Sequence, residues 1–425
     1  MLVAVVMLFV VGAMAALSID VVTLYTARSE AQLAADGAAL AGARALANSG
    51  MTSDTANTAL AANAETLAST VAIQVARHNE VGGRNLVATE VTVSFPNAGS
   101  TDFGTNPHVT VRVQRTDLPT FFARIWGSKQ ITVAASATAE AYNPSGANAL
   151  GVTTPVAPIC VKPWLLPNID PSNPGNPVAP NQIFNPTTGA IAPTATALLG
   201  WTTPPGPPTP NPKRLQPACI DCSTPPAPTP GVWQYYPASF PAPTQALPSC
   251  TSALTTAYEQ SVAGCIQTPI PCNGTATIDP SDYTNRDTET SSAVNCLTHA
   301  TNRRGDADEV DLTAAAAPSP PFQFLAGDNN PVAGAVGKDV LVSDSLVTVP
   351  VFDSSTGPPP TPVQIVGFVQ LFLNPNGVAT PNSGPNAGHM KATVINMAGC
   401  GTGVTGTPIL GNGASPVAVR MISPP

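Results

Sequence analysis

MLVAVVMLFVVGAMAALSIDVVTLYTARSEAQLAADGAALAGARAL, residues 1–46, opens the chain and decides how the remainder is read. Met1 to Ile19 carries no charge, and Asp20 is the first ionisable side chain. At about 1.5 Å per residue this run makes a helix of roughly 28 Å, close to the thickness of a bilayer's hydrocarbon core. Ala13-Met14-Ala15 resembles a signal-peptide cleavage site, which is the competing reading. The helical pattern does not break there, however. It runs on through Asp20, Tyr25, Arg28 and Gln32 with neither Gly nor Pro, as an uncleaved anchor continuing into a stalk would. No Lys or Arg precedes the apolar run, so the positive-inside rule has nothing to act on. Either the true start lies upstream of Met1, or export of the long polar remainder sets the orientation.

Beyond the anchor, Ala27, Ala31, Ala34, Ala38, Ala41 and Ala45 recur at three- and four-residue steps, a small-residue face suited to close helix packing. That face is expected either to meet a partner helix or to pack on the chain's own second helix. Ser49-Gly50 closes the first helix, and Ser53 or Asp54 is expected to cap a second one running to about His78. Alternation then predicts strands at Val87–Phe95, His108–Gln114 and Ile131–Tyr142, with a short helix at Leu118–Gly127 between the last two. Residues 144–250 change character: they hold 26 of the 48 prolines and only five charged residues, Lys162, Asp170, Lys213, Arg214 and Asp221. Runs such as Pro204-Pro205-Gly206-Pro207-Pro208 favour polyproline II, yet the aromatics Trp164, Phe184, Trp201, Trp233, Tyr235 and Tyr236 imply ordered loops on a small β framework. The chain ends in strands at Val340–Phe352, Val363–Leu373, Met390–Met397 and Val417–Ile422; VQIVGFVQLFL (Val363 to Leu373) is apolar on both faces and belongs in the middle of a sheet.

The fold class is therefore α+β: an N-terminal transmembrane helix running into an Ala-rich helical hairpin with a small sheet, then Pro-rich disulfide-linked loops, then a mainly β C-terminal region. The expected divisions are 1–19 anchor, 20–142 stalk with a small α+β module, 143–250 Pro-rich and Cys-containing, and 251–425 mainly β.

With 25 acidic against 17 basic residues and a net charge of −8, the chain has no basic stripe to displace counterions, so nucleic acid is excluded as a partner. Cys160, Cys219, Cys222, Cys250, Cys265, Cys272, Cys296 and Cys400 are even in number and lie in a region poor in histidine. They read as disulfide cysteines in an oxidising compartment rather than metal ligands, which places the residues after Asp20 outside the cytoplasm. Their pairing is open.

Three stretches carry a family resemblance. The anchor with Asp20, Tyr25, Arg28 and Ala34-Ala35-Asp36-Gly37-Ala38-Ala39 resembles the opening of TadE/TadG-like (tight-adherence, Flp-type) pilus-assembly proteins. RTDLPTFFARIWGSKQITVAASATAEA (Arg115 to Ala141) is similar to a Phe-pair, Ala-Arg, Val-rich-strand segment of TadG-like chains. Tyr258–Ile266 and Val349–Leu373 look like later parts of the same group, and the Pro-rich middle is unmatched. The resemblance implies a single-pass bacterial inner-membrane protein, mostly periplasmic or extracellular, partnered by other pilus-assembly or envelope proteins. It implies no catalytic residue and no cofactor.

Signatures of chemistry were weighed against that reading. There is no G-x-S-x-G and no H-E-x-x-H, and His78, His108, His299 and His389 stand alone. Gly401 to Gly406 fits G-x-G-x-x-G but leads into Thr407-Pro408 rather than a helix, so no nucleotide is expected. Asp306, Asp308, Glu309 and Asp311 lack the glycine and terminal glutamate of a calcium loop. Arg304-Gly305-Asp306 is a tripeptide of the kind that arises by chance. Some TadG-like proteins carry a von Willebrand-type metal site, but Asp353-Ser354-Ser355-Thr356-Gly357 has the wrong spacing for it. The alternative to a structural envelope component is a carbohydrate-binding or adhesive module using Trp164, Trp201, Trp233 and Tyr235 as exposed platforms.

Overall fold

The computed structural model describes residues 2–123, 127, 130–145, 155–172, 181–200, 214–218, 230–243, 247–248, 250, 254–278, 283–301, 303–312, 318–355, 362–401, 409–410 and 415–422. Trp201, Cys219, Cys222, the Pro204–Pro208 run and most of the Gly401–Gly406 motif lie outside them.

The apolar run and the Ala-rich segment form one unbroken helix, α1 (Leu2–Asn48), 47 residues and therefore about 70 Å long. Its N-terminal part is long and apolar enough to cross a membrane, and it lies uncovered, with Val3, Met7, Leu8, Phe9, Val11 and Met14 all exposed. From Ala27 onward the same helix is core. Ala27, Ala31, Ala34, Ala35, Ala38, Ala39 and Ala43 are buried against α2 (Thr58–Arg77), whose Leu60, Ala64, Ala68, Ala72 and Ala76 form a stripe at four-residue spacing. Small side chains on both partners bring the axes close; a Cβ added at Gly42 would sit 3.3 Å from Val109 Cγ2 and 3.4 Å from Ala72 Cβ. The Ala face is thus occupied by the chain's own second helix and sheet, not left for a partner.

That sheet contains β1 (Val91–Ser94), β2 (His108–Pro119) and β3 (Gln130–Tyr142), antiparallel in sequence order. Val109, Val111 and Val113 alternate with polar residues and point into the helices. Three local expectations change. Asn57, not Ser53 or Asp54, caps α2 by accepting from Leu60 N at 3.0 Å. Residues 88–90 make a 3-10 turn before β1, so the strand is shorter than alternation alone implies. Leu118 and Pro119 extend β2, paired with Ile131 and Gln130, instead of opening a helix. Residues 120–123 of the expected Leu118–Gly127 helix form a bend after β2, and 124–126 lie outside the described residues.

The chain then lays down β4 (Val156–Ala157), β5 (Trp164–Pro167), β6 (Arg214–Pro217), β7 (Val232–Pro237), α3 (Ala257–Ala263), β8 (Thr275–Ala276), α4 (Tyr283–Thr298), β9 (Glu309–Val310), β10 (Phe324–Leu325), β11 (Leu346–Phe352), β12 (Val363–Leu373), β13 (Ala392–Gly399), β14 (Ile409–Leu410) and β15 (Ala418–Ile422). Seven of these strands form one mixed sheet in the order β13-β12-β11-β5-β7-β6, with β8 beside the start of β12. The all-apolar β12 is flanked on both sides, as its lack of a polar face requires, and every residue in it except Gln364 is buried. Strands from 143–250 and from 251–425 share this sheet, and β15 returns to pair with β3, closing the N-terminal sheet with the last described residues.

Three of the four aromatics proposed as exposed platforms are core, and Trp201 lies outside the described residues. Trp164, Trp233 and Tyr235 are 1% exposed or less, packed with Tyr258, Val262, Ala293 and Val294 of α3 and α4. Trp164 Nε1 donates to Tyr258 Oη at 3.0 Å, and Tyr235 Oη to the Gly388 carbonyl at 3.2 Å. An indole or phenol that is buried must place its polar hydrogen in this way.

Candidate functional site

With no binding platform presented by these aromatics, the features that bear on function are those that fix the anchor helix to the rest of the chain. Asp20, directly after the apolar run, is buried although its neighbours Ile19, Val21 and Val22 are exposed. Its carboxylate accepts three backbone N–H groups from the turn that follows β2: Phe121 to Oδ1 at 2.9 Å, and Phe122 and Ala123 to Oδ2 at 3.0 and 2.7 Å. Burial works against the charge, but the three N–H bonds outweigh it and hold the carboxyl below its ordinary value. Two of the stretches singled out in the sequence, the Asp that ends the membrane run and the Phe pair of Arg115–Ala141, are therefore one contact.

A second tie lies about ten residues along α1. Glu30 Oε2 accepts from Gly82 N at 2.6 Å, and Gln32 Nε2 donates to the Ser136 carbonyl of β3 at 3.3 Å. Gly82 sits at φ +59°, and a Cβ there would fall 2.3 Å from Leu118 Cδ1. Around it, the buried Arg115 donates to the carbonyls of Val81 and Gly82 and to Asp117 at 2.8 Å. Arg84 grips Glu90 with two bonds, at 2.6 and 2.9 Å, and reaches Asp117 at 2.9 Å. The Arg84 bonds hold the Glu90 carboxyl below its ordinary range, and Arg115 does the same for Asp117.

At its far end α1 is socketed into the large sheet. Asn396 of β13 donates through Nδ2 to the Ala47 carbonyl and to Gln370 Oε1 at 3.0 Å, and accepts through Oδ1 from Ser53 Oγ at 3.0 Å. Asn48 Oδ1 accepts from Gln370 Nε2 at 3.3 Å, and Asn48 Nδ2 donates to the Leu341 carbonyl at 3.0 Å. Asn143, at the end of β3, donates to the carbonyls of Thr52 and Met397 at 3.1 and 2.8 Å. Asn48, Ser53, Asn143, Gln370 and Asn396 are all buried. Sequence reasoning gave Ser53 a different role, as a helix cap, and assigned the others none; the available signal was an amide side chain within a strand that is apolar on both sides of it, Gln370 in β12 and Asn396 in β13.

Among the described cysteines, Cys160 is joined to Cys265, Cys250 to Cys296 and Cys272 to Cys400, with Cα separations of 4.2, 5.3 and 5.2 Å. The acidic cluster is spent internally: Asp306 holds Arg303, while Asp308 accepts from Gly327 N, Asn330 Nδ2 and Ser343 Oγ at 2.9, 2.9 and 2.6 Å. Asp306 is buried, so the Arg304-Gly305-Asp306 tripeptide does not present its carboxylate. His108 lies 3.5 Å from Glu140 and His299 3.1 Å from Asp344; the latter contact raises the imidazole's proton affinity.

Residues 1–45 match the family model described as putative Flp pilus-assembly TadE/G-like. No curated protein and no solved structure matches the chain. The matched residues are those of α1 up to the socket, from the uncovered apolar run through Asp20 and Glu30 to the buried Ala face. The chain therefore carries a TadE/TadG-like N-terminal segment, and that segment is the helix α1, uncovered over its apolar half and buried over its Ala-rich half.

Proposed function

We propose that this protein is a membrane-anchored, exported structural or accessory component of a tight-adherence (Flp-type) pilus assembly system. It works through protein–protein contacts and not through catalysis. The observation that carries this reading is the coincidence of the TadE/G-like match with α1, a helix uncovered over its apolar half and packed into the protein over its other half. In this reading α1 crosses the bacterial inner membrane once and the remainder of the chain faces the periplasm or the exterior. Three cysteine pairs on that side of the anchor support an oxidising compartment. The partners are the inner membrane and other pilus-assembly or envelope proteins, with no nucleic acid or nucleotide. Burial of Trp164, Trp233 and Tyr235 counts against a carbohydrate-binding reading, which counted them with Trp201 as exposed platforms.

The test is membrane fractionation of a C-terminally tagged chain, with mass spectrometry of its N-terminus and protease added to intact spheroplasts. Retention in the membrane, an intact apolar segment, external digestion and co-purification of pilus components are expected. A soluble product beginning near Ala16 would overturn the anchor, and a membrane-retained chain that captures no envelope protein would overturn the assembly role.

A further inference from the structure

We infer that the turn after β2 is a second membrane contact, with Phe121 seated in the outer interface of the bilayer beside α1. The inference rests on α1 being the anchor. A lone exposed phenylalanine carries no information on a protein surface, because much of any surface is apolar. Here its height above the membrane is fixed. The uncharged part of α1 ends at Ile19, and Asp20, one residue further, binds the backbone of Phe121, Phe122 and Ala123 through three hydrogen bonds of 2.7 to 3.0 Å. The turn is thus held at the level where the hydrocarbon core gives way to headgroups. Phe121 is 62% exposed, and the side chains of α1 around this level, Leu17, Ile19, Val21, Val22 and Tyr25, are exposed and apolar or amphipathic as well.

Lipid is the occupant that matches this chemistry. The apolar surface is continuous with the membrane-spanning run, it carries an aromatic at the height where aromatic side chains partition, and the carboxylate of Asp20 beside it is already satisfied. A carboxylate at this depth is costly when bare, and Asp20 is not bare, since its oxygens are taken by the turn itself. One side chain therefore sets the depth of the turn and keeps its own charge compatible with the interface. The consequence is two-point attachment. A helix alone can rotate about its axis, whereas a helix with a wedge beside it presents one face of the head to the membrane.

The experiment places p-benzoyl-phenylalanine at position 121 of the full chain in phosphatidylethanolamine–phosphatidylglycerol vesicles, with the same residue at Met7 and at Val336 as references. Met7 lies in the uncovered apolar run, and Val336 is 50% exposed in a loop of the head. After irradiation, lipid adducts are read by mass spectrometry. The inference expects adducts at Met7 and at 121, with yield at 121 on the order of tenfold above that at 336, as an interfacial side chain differs from a hydrated one. Yield at 121 equal to that at 336, or adducts to protein alone, would overturn the inference while leaving the anchor intact. Absence of lipid adducts at Met7 would overturn the anchor reading itself.

Discussion

Truncating Asn396 to alanine tests whether the socket at the end of α1 holds the protein together. A helix leaves its last carbonyls without intrahelical donors. In α1 the Leu46 carbonyl is met by Ser49 N at 3.3 Å, but the Ala47 carbonyl is met by Asn396, 349 residues away. Removing the amide leaves that carbonyl buried without its Asn396 donor and takes the same donor from Gln370 Oε1, which also accepts from the Ser415 hydroxyl at 3.3 Å. Each orphaned buried group costs about 1–3 kcal/mol, so the expected loss is roughly 2–5 kcal/mol with a small cavity term added. Hydrogen exchange followed by mass spectrometry on the detergent-solubilised chain reads this locally, in the last turns of α1 and in β13. Protection there is expected to fall roughly 30-fold or more, since about 1.4 kcal/mol is a factor of ten. Asn396→Asp is expected to be at least as damaging, because a carboxylate would face the Ala47 carbonyl and Gln370 Oε1 with nothing to donate. Gln370→Ala combined with Asn396→Ala is expected to cost less than the two singles added, by about 0.5 kcal/mol or more, as bonded neighbours do. Protection changed less than about threefold by Asn396→Ala, or strict additivity of the pair, would refute the reasoning.

Gly82→Ala is expected to destabilise the stalk by about 2–4 kcal/mol, from left-handed backbone strain and overpacking against Leu118, read as a lowered urea midpoint with Gly83→Ala, which meets no atom within 4 Å, as the comparison. Lys162 is buried, with its Nζ donating to the carbonyls of Val262 and Gly264 at 2.6 and 2.8 Å at the end of α3, and burial pushes it down to about 7 from 10.5. Between those values the unfolded chain binds more protons, so stability is lowest below pH 7 and rises toward pH 10.5; Lys162→Met should flatten that slope in unfolding measured across the range. Reducing the Cys160–Cys265 and Cys272–Cys400 bridges, which span 105 and 128 residues, should cost about 4–5 kcal/mol each by loop closure, seen as a fall in unfolding temperature with dithiothreitol that a Cys160→Ser/Cys265→Ser chain shows only in part.

The elements legible in the sequence are those whose signal is local. The length of the apolar run, the three- and four-residue recurrence of alanine and the two-residue alternation in Val109–Val113 each specify an element without reference to distant partners. What failed did so where a distant partner decided. Ser53 looks like an N-cap, but its hydroxyl is drawn to Asn396 and the Met397 carbonyl, 343 and 344 residues on, and Asn57 takes the cap instead. Pro119 looks like a helix opening, yet the pairing of β2 with β3 carries the strand through it. Trp164, Trp233 and Tyr235 stand in a Pro-rich stretch that reads as surface, and they are core because β5 and β7 insert beside β11 and beneath α3 and α4. Of the site, Asp20 was visible as the end of the apolar run; that it grips the Phe pair 101 to 103 residues later was not.

The alanine stripes explain why α1 needs polar ties at all. Ala64, Ala68, Ala72 and Ala76 repeat every four residues, and the facing alanines of α1 recur at nearly the same step. Two such surfaces fit almost as well after sliding by one turn, about 5.4 Å, because small side chains interlock only shallowly. Packing alone would therefore leave the height of the anchor ambiguous. Four sets of hydrogen bonds remove the ambiguity: Asp20 to the turn at 121–123, Glu30 to Gly82, Gln32 to Ser136, and the last turn to Asn396 and Gln370. They are spread over 28 residues of helix, about 42 Å, so no single hinge can form without breaking bonds at several levels. A displacement imposed on the large sheet is therefore expected to reach the apolar half of α1 as translation along its axis or rotation of the whole helix, and not to be absorbed by bending at the junction. Under the proposed assembly role, this stiffness would let a partner engaged on the large sheet act on α1.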